Sequence, residues 1–266
     1  MTDFDLILVG GGLANGLVAM RLAQLRPELS VALVESAPEL GGRHIWSSFD
    51  ADVTPGQRAW TAELYRARWP AYRVRFPATG ERLLAQPYAS ATSDRLDAAL
   101  RRLLPADRLI TSAEAVAVEP DHVVLADQRR LSAAGVIDGR GARRSAALRL
   151  GWQKFLGRVI EVDGGHGVAE PLIMDATVDQ HDGYRFVYLL PFTPSRIMIE
   201  DTYYADGPEL DIERLRARID AYADARGWTR RMPVEEEQGV LPIAMDGDID
   251  AYWAEAQTGV AQSGMR

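Results

Sequence analysis

The chain has 266 residues, with 30 Lys and Arg against 38 Asp and Glu, a net charge of −8 and no cysteine. That balance argues against nucleic acid as the main partner, and the missing thiols exclude disulfides, thiolate catalysis and cysteine-type zinc sites together. No apolar run reaches the ~18 residues needed to span a bilayer. The acidic opening is not expected to be a secretory leader, and the four histidines lack metal-ligand spacing, so no metal is expected.

Asp5–Val9 is a short apolar run without helical spacing and reads as a buried strand. It turns through Gly10, Gly11 and Gly12 into Leu13–Arg26, where Leu13, Leu17, Met20 and Leu25 suit a helix face packed on a sheet. Val31–Glu35 is the next strand, completing a βαβ unit with a phosphate-cradling corner. Gly10 and Gly12 take the first two positions of the dinucleotide fingerprint; the third falls on Asn15, with Gly16 one step late. Glu35 closes the second strand roughly 20 residues on, where an acid accepts from a ribose diol.

Gly41–Ser47 follows as a glycine turn carrying His44 and Trp46, either a cofactor lining or a surface loop anchored by Trp46. Helical spacing of Trp60, Leu64 and Trp69 predicts a helix over Gln57–Trp69, and Tyr72–Phe76 and Arg82–Leu84 are short strands. Ser93 is the predicted N-cap of a helix through Leu96, Leu100, Leu103 and Leu104, ended by Pro105. Arg108–Ile110 re-enters the sheet, and Ala115–Val118, Val123–Leu125 and Arg129–Leu131 form a small meander. Gly135–Gly141 repeats the opening logic. In a two-part flavin fold such a strand end reaches the middle of the cofactor, with Asp138 and Gly139 beside it; the alternative is a plain structural corner.

From Leu148 the texture changes to extended aromatic-rich runs, Gln153–Val162, Pro171–Val178, Tyr184–Pro191 and Arg196–Tyr204, which predict an antiparallel sheet. Asp211–Arg226 is a helix stopped at Gly227, Glu235–Gln238 a solvated strand edge, Val240–Met245 a strand and Ile249–Glu255 a short helix. The expected class is α/β, a Rossmann-like two-part FAD-binding fold with an antiparallel β-sheet substrate layer. Residues 1–147 form its dinucleotide-binding part and residues 148–266 mainly its substrate part.

Together the stretches Leu6–Leu17, His44–Ser47, Val136–Gly141, Gln153–Gly157, Pro171–Gln180, Gly183–Pro191, Ile199–Tyr203 and Glu236–Pro242 resemble the bacterial lycopene β-cyclases of carotenoid biosynthesis. Met174–Gln180 and Ile199–Tyr203 are the specific segments; the glycine fingerprint is shared with many flavoproteins. The family pattern continues past residue 266 with a strand and helix that complete the flavin site, so a truncated form is expected, its flavin affinity and activity in question. The resemblance implies cyclisation of the ψ-ends of lycopene, or of related acyclic or monocyclic carotenoids, to β-rings without net redox change. An acid protonates the terminal alkene, the neighbouring double bond attacks the cation, and a ring proton is lost. FAD held reduced by NAD(P)H would place negative charge beside that cation.

On this resemblance Glu200 matches the acid, and strand alternation sends Asp201 to the other face to support the sheet behind it. Without the resemblance, adjacent carboxylates at a strand end are ordinarily solvated. Gly10, Gly12, Asn15, Gly16, Glu35, His44, Asp138 and Gly139 would hold the cofactor. Met174, Tyr184, Phe186, Tyr188 and Phe192 would line a polyene cavity or serve as sheet core, and Asp175 and Asp179 are candidates for positioning or proton transfer. Peripheral attachment to the inner face of the cytoplasmic membrane is expected, through an apolar rim helped by arginines such as Arg226, Arg230 and Arg231. The competing readings are an FAD-dependent monooxygenase or desaturase, and an inactive truncated fragment.

Overall fold

Apolar residues at every position of Phe4–Val9 (β1) and Val31–Val34 (β2), apart from Asp5, call for strands covered on both faces. In a computed structural model that describes residues 2–141, 145–181 and 183–257, they lie side by side and parallel. The helix Leu13–Leu25 (α1) crosses between them. The remaining elements are the strands Ile45–Phe49 (β3), Tyr65–Trp69 (β4), Tyr72–Phe76 (β5), Gly80–Leu84 (β6), Tyr88–Thr92 (β7), Leu109–Ile110 (β8), Ala115–Glu119 (β9), His122–Leu125 (β10), Arg130–Asp138 (β11), Leu148–Val162 (β12), Leu172–Asp175 (β13), Arg185–Pro191 (β14), Arg196–Ala205 (β15) and Arg231–Gly247 (β16), with the helices Pro55–Thr61 (α2), Ser93–Leu103 (α3), Ile212–Ala225 (α4) and Ile249–Gln257 (α5).

Three sheets organise them. The first runs β8-β2-β1-β11-β10-β9. Leu8, Val31 and Leu33 on one face pack with Ala19 and Met20 of α1 and Leu96 and Leu100 of α3, while Ile7, Val9, Ala32 and Val34 pack on the other with Val123 and Leu125. The second runs β16-β12-β15-β14-β13-β5-β6 and is antiparallel except where β13 meets β5. One of its faces packs Leu156, Val187 and Ile199 against Leu215 and Ile219 of α4. The third, β3-β7-β4, brings Ile45, Trp69 and Tyr88 onto Val159, Leu190 and Met198 of the opposite face. Two strands read in the first half of the chain, β5 and β6, thus extend the second sheet.

Four expectations are corrected here. The helix predicted over Gln57–Trp69 ends at Thr61; Thr54 and Gln57 cap its start reciprocally with Pro55 at the first turn, and Tyr65–Trp69 is a strand paired with β7. Its residues alternate, and Trp69 is pinned by its indole N–H donating to the Pro191 carbonyl at 3.2 Å. Ser93 is the first helical residue, not the cap, because it is bound elsewhere: its N–H donates to the His44 carbonyl at 3.1 Å and its hydroxyl accepts from His44 N–H at 3.3 Å. The third meander strand and the Gly135–Asp138 strand are one continuous strand, β11, antiparallel to β10 and then parallel to β1. Finally, Glu235–Gln238 is not a uniformly solvated edge, since Glu237 is only 7% exposed.

Candidate functional site

The ends of β1, β2 and β11 converge: Val9 lies opposite Val34 on one side and Asp138 on the other. Gly10 leaves β1 at φ +93°, where side chains are disfavoured, and a Cβ there would stand 2.9 Å from the Gly139 carbonyl carbon. Gly139 N–H in turn donates to the Val9 carbonyl at 2.7 Å. Asn15, at the irregular fingerprint position, is buried and donates its amide to the carbonyls of Val9 and Gly10 at 2.9 and 3.0 Å, tying α1 to the strand end. Gly16 admits Leu96 of α3, whose side chain would lie 2.9 Å from an added Cβ.

Glu35 accepts from Gly11 N–H at 2.7 Å and Ala37 N–H at 2.8 Å, so it shapes the turn it was expected to serve. Asp138 is paired with Arg140; burial pushes its carboxyl up, but the Arg140 bonds outweigh this and hold it below the usual range. At the start of α1, among the described residues, no side chain caps the helix, no acid occupies the first turn, and the space beside Gly12 is open. Uncapped amides at the positive end of a helix fit a pyrophosphate. The corner therefore has the donors and the room that a dinucleotide such as FAD needs.

Next to this corner the loop after β2 folds back, Gly41 N–H donating to the Gly11 carbonyl at 2.9 Å. From there a cleft of about 570 Å³ runs to the second sheet, lined by Leu40, Gly42, His44, Ile45, Gly157 and Glu237 among others. His44 thus belongs to a cleft wall between the glycine corner and the sheet, with its ring Nδ1 3.8 Å from Glu237.

On the second sheet one row across four strands reads Glu237, Gly157, Glu200, Tyr188. Residues directly opposite share a face, and this is the face covered by the third sheet. Glu200 accepts from the Thr202 hydroxyl at 2.7 Å, and no described Arg or Lys pairs with it. Burial pushes its carboxyl up to about 7, against the Thr202 bond and with a small push from the Asp201 charge. Glu237 holds Ile45 N–H at 2.8 Å, and burial followed by the Glu200 charge pushes it up to about 8. Tyr88, on the covering sheet, is also raised by burial, to about 12.

Asp201 points the opposite way. It is fully buried and takes Arg185 through contacts of 2.9, 3.1 and 2.5 Å, and Arg185 reaches on to the Asp179 carbonyl at 2.9 Å. Asp175 also belongs to that side, bonded to Tyr222 at 2.8 Å and to Arg75 and Arg226, so it locks α4 to the sheet and is not in reach of Glu200's face. Asp179 is exposed. Of the aromatics, Phe186 and Tyr188 stack edge to face at 5.4 Å beside Glu200, Tyr184 is 43% exposed at the end of the same row, and Phe192 packs under Arg66 and beside Trp69. Met174 takes the Tyr184 hydroxyl at 3.6 Å. Arg226 and Arg231 are committed to internal ion pairs, with Asp175 and with Asp220 and Asp224; Arg230 is exposed beside Asp163.

Sequence reasoning missed Glu237 and Tyr88. The signal for Glu237 was strand alternation through the charge run, which sets Glu235 and Glu237 on one face and Glu236 on the other, so that the run cannot be solvated uniformly.

Residues 5–266 match the family model described as "Lycopene cyclase protein". The chain is 47% identical over 262 residues to a lycopene beta-cyclase of Pseudescherichia vulneris, covering 98% of this chain and 67% of that protein. It is 44% identical to the Pantoea ananas lycopene beta-cyclase, covering 99% and 68%. Among solved structures, a geranylgeranyl bacteriochlorophyll reductase-like protein from Thermoplasma acidophilum superposes with a TM-score of 0.62 at 14% identity, covering 91% of this chain and 66% of that one. A 2-methyl-3-hydroxypyridine-5-carboxylic acid oxygenase gives 0.59 at 17%, covering 89% and 71%. These likenesses show the fold alone, a Rossmann-like mixed α/β architecture.

Proposed function

Given that the chain belongs to the lycopene cyclase family, we propose that it closes the ψ-ends of lycopene into β-rings by proton transfer, with Glu200 as the acid. One observation carries this assignment: of two adjacent carboxylates, Asp201 is spent on a buried arginine, whereas Glu200, partly buried on the other face, has no Arg or Lys partner among the described residues, and burial pushes its carboxyl up to about 7. Protonating an alkene requires such an acid in a dry site, where desolvation favours the neutral form. Phe186, Tyr188 and Tyr88 surround it with π-faces that favour a developing cation.

Gly10, Gly12, Asn15, Gly16, Glu35, His44, Asp138 and Gly139 are the residues proposed to seat FAD, the glycines by close approach and α1 by its open first turn. When bound and reduced at the expense of NAD(P)H, FAD supplies negative charge that stabilises the cation. The division into a dinucleotide-binding part and a sheet part follows the same assignment. No helix among the described residues is long and apolar enough to cross a membrane. Peripheral contact is proposed through the exposed apolar side chains of β16 and α5, among them Met232, Leu241, Met245, Ile249 and Trp253.

The test is anaerobic assay of the flavin-loaded chain with lycopene in liposomes. β-Ring product is expected once dithionite or NAD(P)H has reduced the flavin, with far less than one NAD(P)H consumed per ring. Stoichiometric consumption, or equal rates with oxidised flavin, would overturn the non-redox reading.

A further inference from the structure

Two strand spacings separate β16 from β15, roughly 10 Å, so side chains on them ordinarily meet the side chain of the strand between. Here that residue is Gly157, paired with Glu200 on one side and Glu237 on the other. A Cβ on Gly157 would lie 3.1 Å from Glu237 Cγ, 3.3 Å from Glu237 Oε1 and 3.4 Å from Glu200 Oε2. Both acids thus direct an oxygen into the gap the glycine leaves. Glu237 Oε2 is fixed by Ile45 N–H, while Oε1 is buried and without a hydrogen-bond partner among the described residues, on a residue only 7% exposed. A buried polar atom left unpaired is costly, and it is aimed at the gap it shares with Glu200. Glu237 also lines the cleft, from which Glu200 stands one strand further in.

We infer that Glu200 and Glu237 act as a carboxyl pair across Gly157, Glu237 being the relay that reloads Glu200 with a proton in each turnover. The inference rests on the proposed cyclisation. In the forward step the Glu200 O–H bond breaks, the alkene π pair forms the new C–H bond, and a tertiary cation and the Glu200 carboxylate result. Ring closure follows, a ring C–H bond breaks with its electron pair forming the ring alkene, and that proton leaves to water. Glu237 then passes its proton across the gap to Glu200 and is itself refilled from cleft water. One proton enters and one leaves, and no oxidant or reductant is consumed.

The surrounding charges are consistent with stepwise ionisation. His44 and Glu235 stand near Glu237, Tyr88 and Tyr188 near Glu200, and Asp201 lies behind the sheet with Arg185. Glu235 is itself held by Arg66. Burial raises both members, and ionised Glu200 raises Glu237 further. Their titration belongs to the pair.

The decisive variant is Glu237→Gln in the flavin-loaded chain. A first ring per protein is expected at the wild-type single-turnover rate, followed by steady-state turnover reduced about 10²-fold, the scale of one proton-transfer catalyst, with KM unchanged. Glu237→Asp should recover part of the loss. Gly157→Ala, which fills the gap while keeping both acids, should show the same burst and slow phase. Unchanged steady-state turnover in Glu237→Gln, or a first turnover slowed as much as later ones, would overturn the relay. If the wild-type chain forms no β-ring, the cyclisation reading fails, and an infrared titration of the carboxyls judges the pair alone. Glu200→Gln should then lower the pH at which Glu237 ionises, and an unmoved Glu237 titration would overturn the pairing.

Discussion

The two faces of β15 give the same functional group opposite tasks. On one face Asp201 sits in a packed core beneath α4, its charge matched by Arg185, its neighbours Leu156 and Val187 excluding water. On the other, Glu200 faces tyrosines, a glycine gap and a second acid, with the Thr202 hydroxyl as its hydrogen-bond partner among the described residues. A buried carboxylate with a bidentate guanidinium is paired and rigid, whereas burial without a cation favours the protonated form. The carboxyl group is shared, and both are drawn out of bulk water, Asp201 fully and Glu200 partly, so the arginine makes the main difference.

Removing the acidic function from each face breaks the comparison most directly. Glu200→Gln preserves shape and leaves no acidic proton, so kcat is expected to fall ~10²–10⁴-fold or more, with bound flavin and melting temperature near wild type. Asp201→Asn is the reverse experiment. It strands Arg185 as a buried, unpaired charge, and removing one partner of such a pair costs about 3–5 kcal/mol. Chemical denaturation should therefore show the larger loss for Asp201→Asn, and turnover per folded, flavin-bearing molecule the larger loss for Glu200→Gln. A stable Asp201→Asn protein without activity would place the acid on the α4 face.

Acidity extends the comparison to stability. The carboxyls of Glu200 and Glu237 are raised to about 7 and 8, above the ~4.3 of an unfolded glutamate. Between those values the folded state holds protons that the unfolded state has lost, so this contribution is complete below about pH 4 and disappears as pH rises through 8. Wild type should thus lose more stability than Glu237→Gln between pH 5 and pH 8, measured by denaturant unfolding at each pH. Equal slopes would mean that Glu237 ionises normally in the folded chain.

Much of this was legible in the sequence, and unevenly. The glycine corner could be read because Gly10, Gly12 and Glu35 act within one local βαβ unit, and the split of Glu200 from Asp201 because alternation is a local rule. The partner of Asp201 was not legible: Arg185 is sixteen positions away and meets it only through the β14–β15 register. Glu237 was hidden by its neighbours. A run of three glutamates resembles a solvated edge, and the burial of the last depends on β16 pairing with β12 and on Ile45 arriving from the third sheet. Tyr65–Trp69 misled because its aromatic spacing satisfied a helix, while the partner that makes it a strand, β7, is some twenty residues downstream. Asn15 departed from the fingerprint, yet its side-chain amide replaces the close contact of a glycine with two hydrogen bonds.

The smallest expected effect isolates the Thr202 hydrogen bond on Glu200. The Thr202 hydroxyl donates to Glu200 Oε1 and stabilises the ionised form, so it opposes the rise that burial imposes. Thr202 is fully buried, and valine keeps its branched shape. In Thr202→Val the ionised form loses that support and the Glu200 carboxyl should rise further. One hydrogen bond of this kind is worth ~1 kcal/mol, which corresponds to somewhat less than one pH unit. The limb of the kcat profile on which activity falls with rising pH, as Glu200 loses its proton, should therefore move to higher pH by that amount, with little change in stability. A limb that moves down, or does not move while flavin content is kept, would mean that the ionisation governing turnover is not that of Glu200.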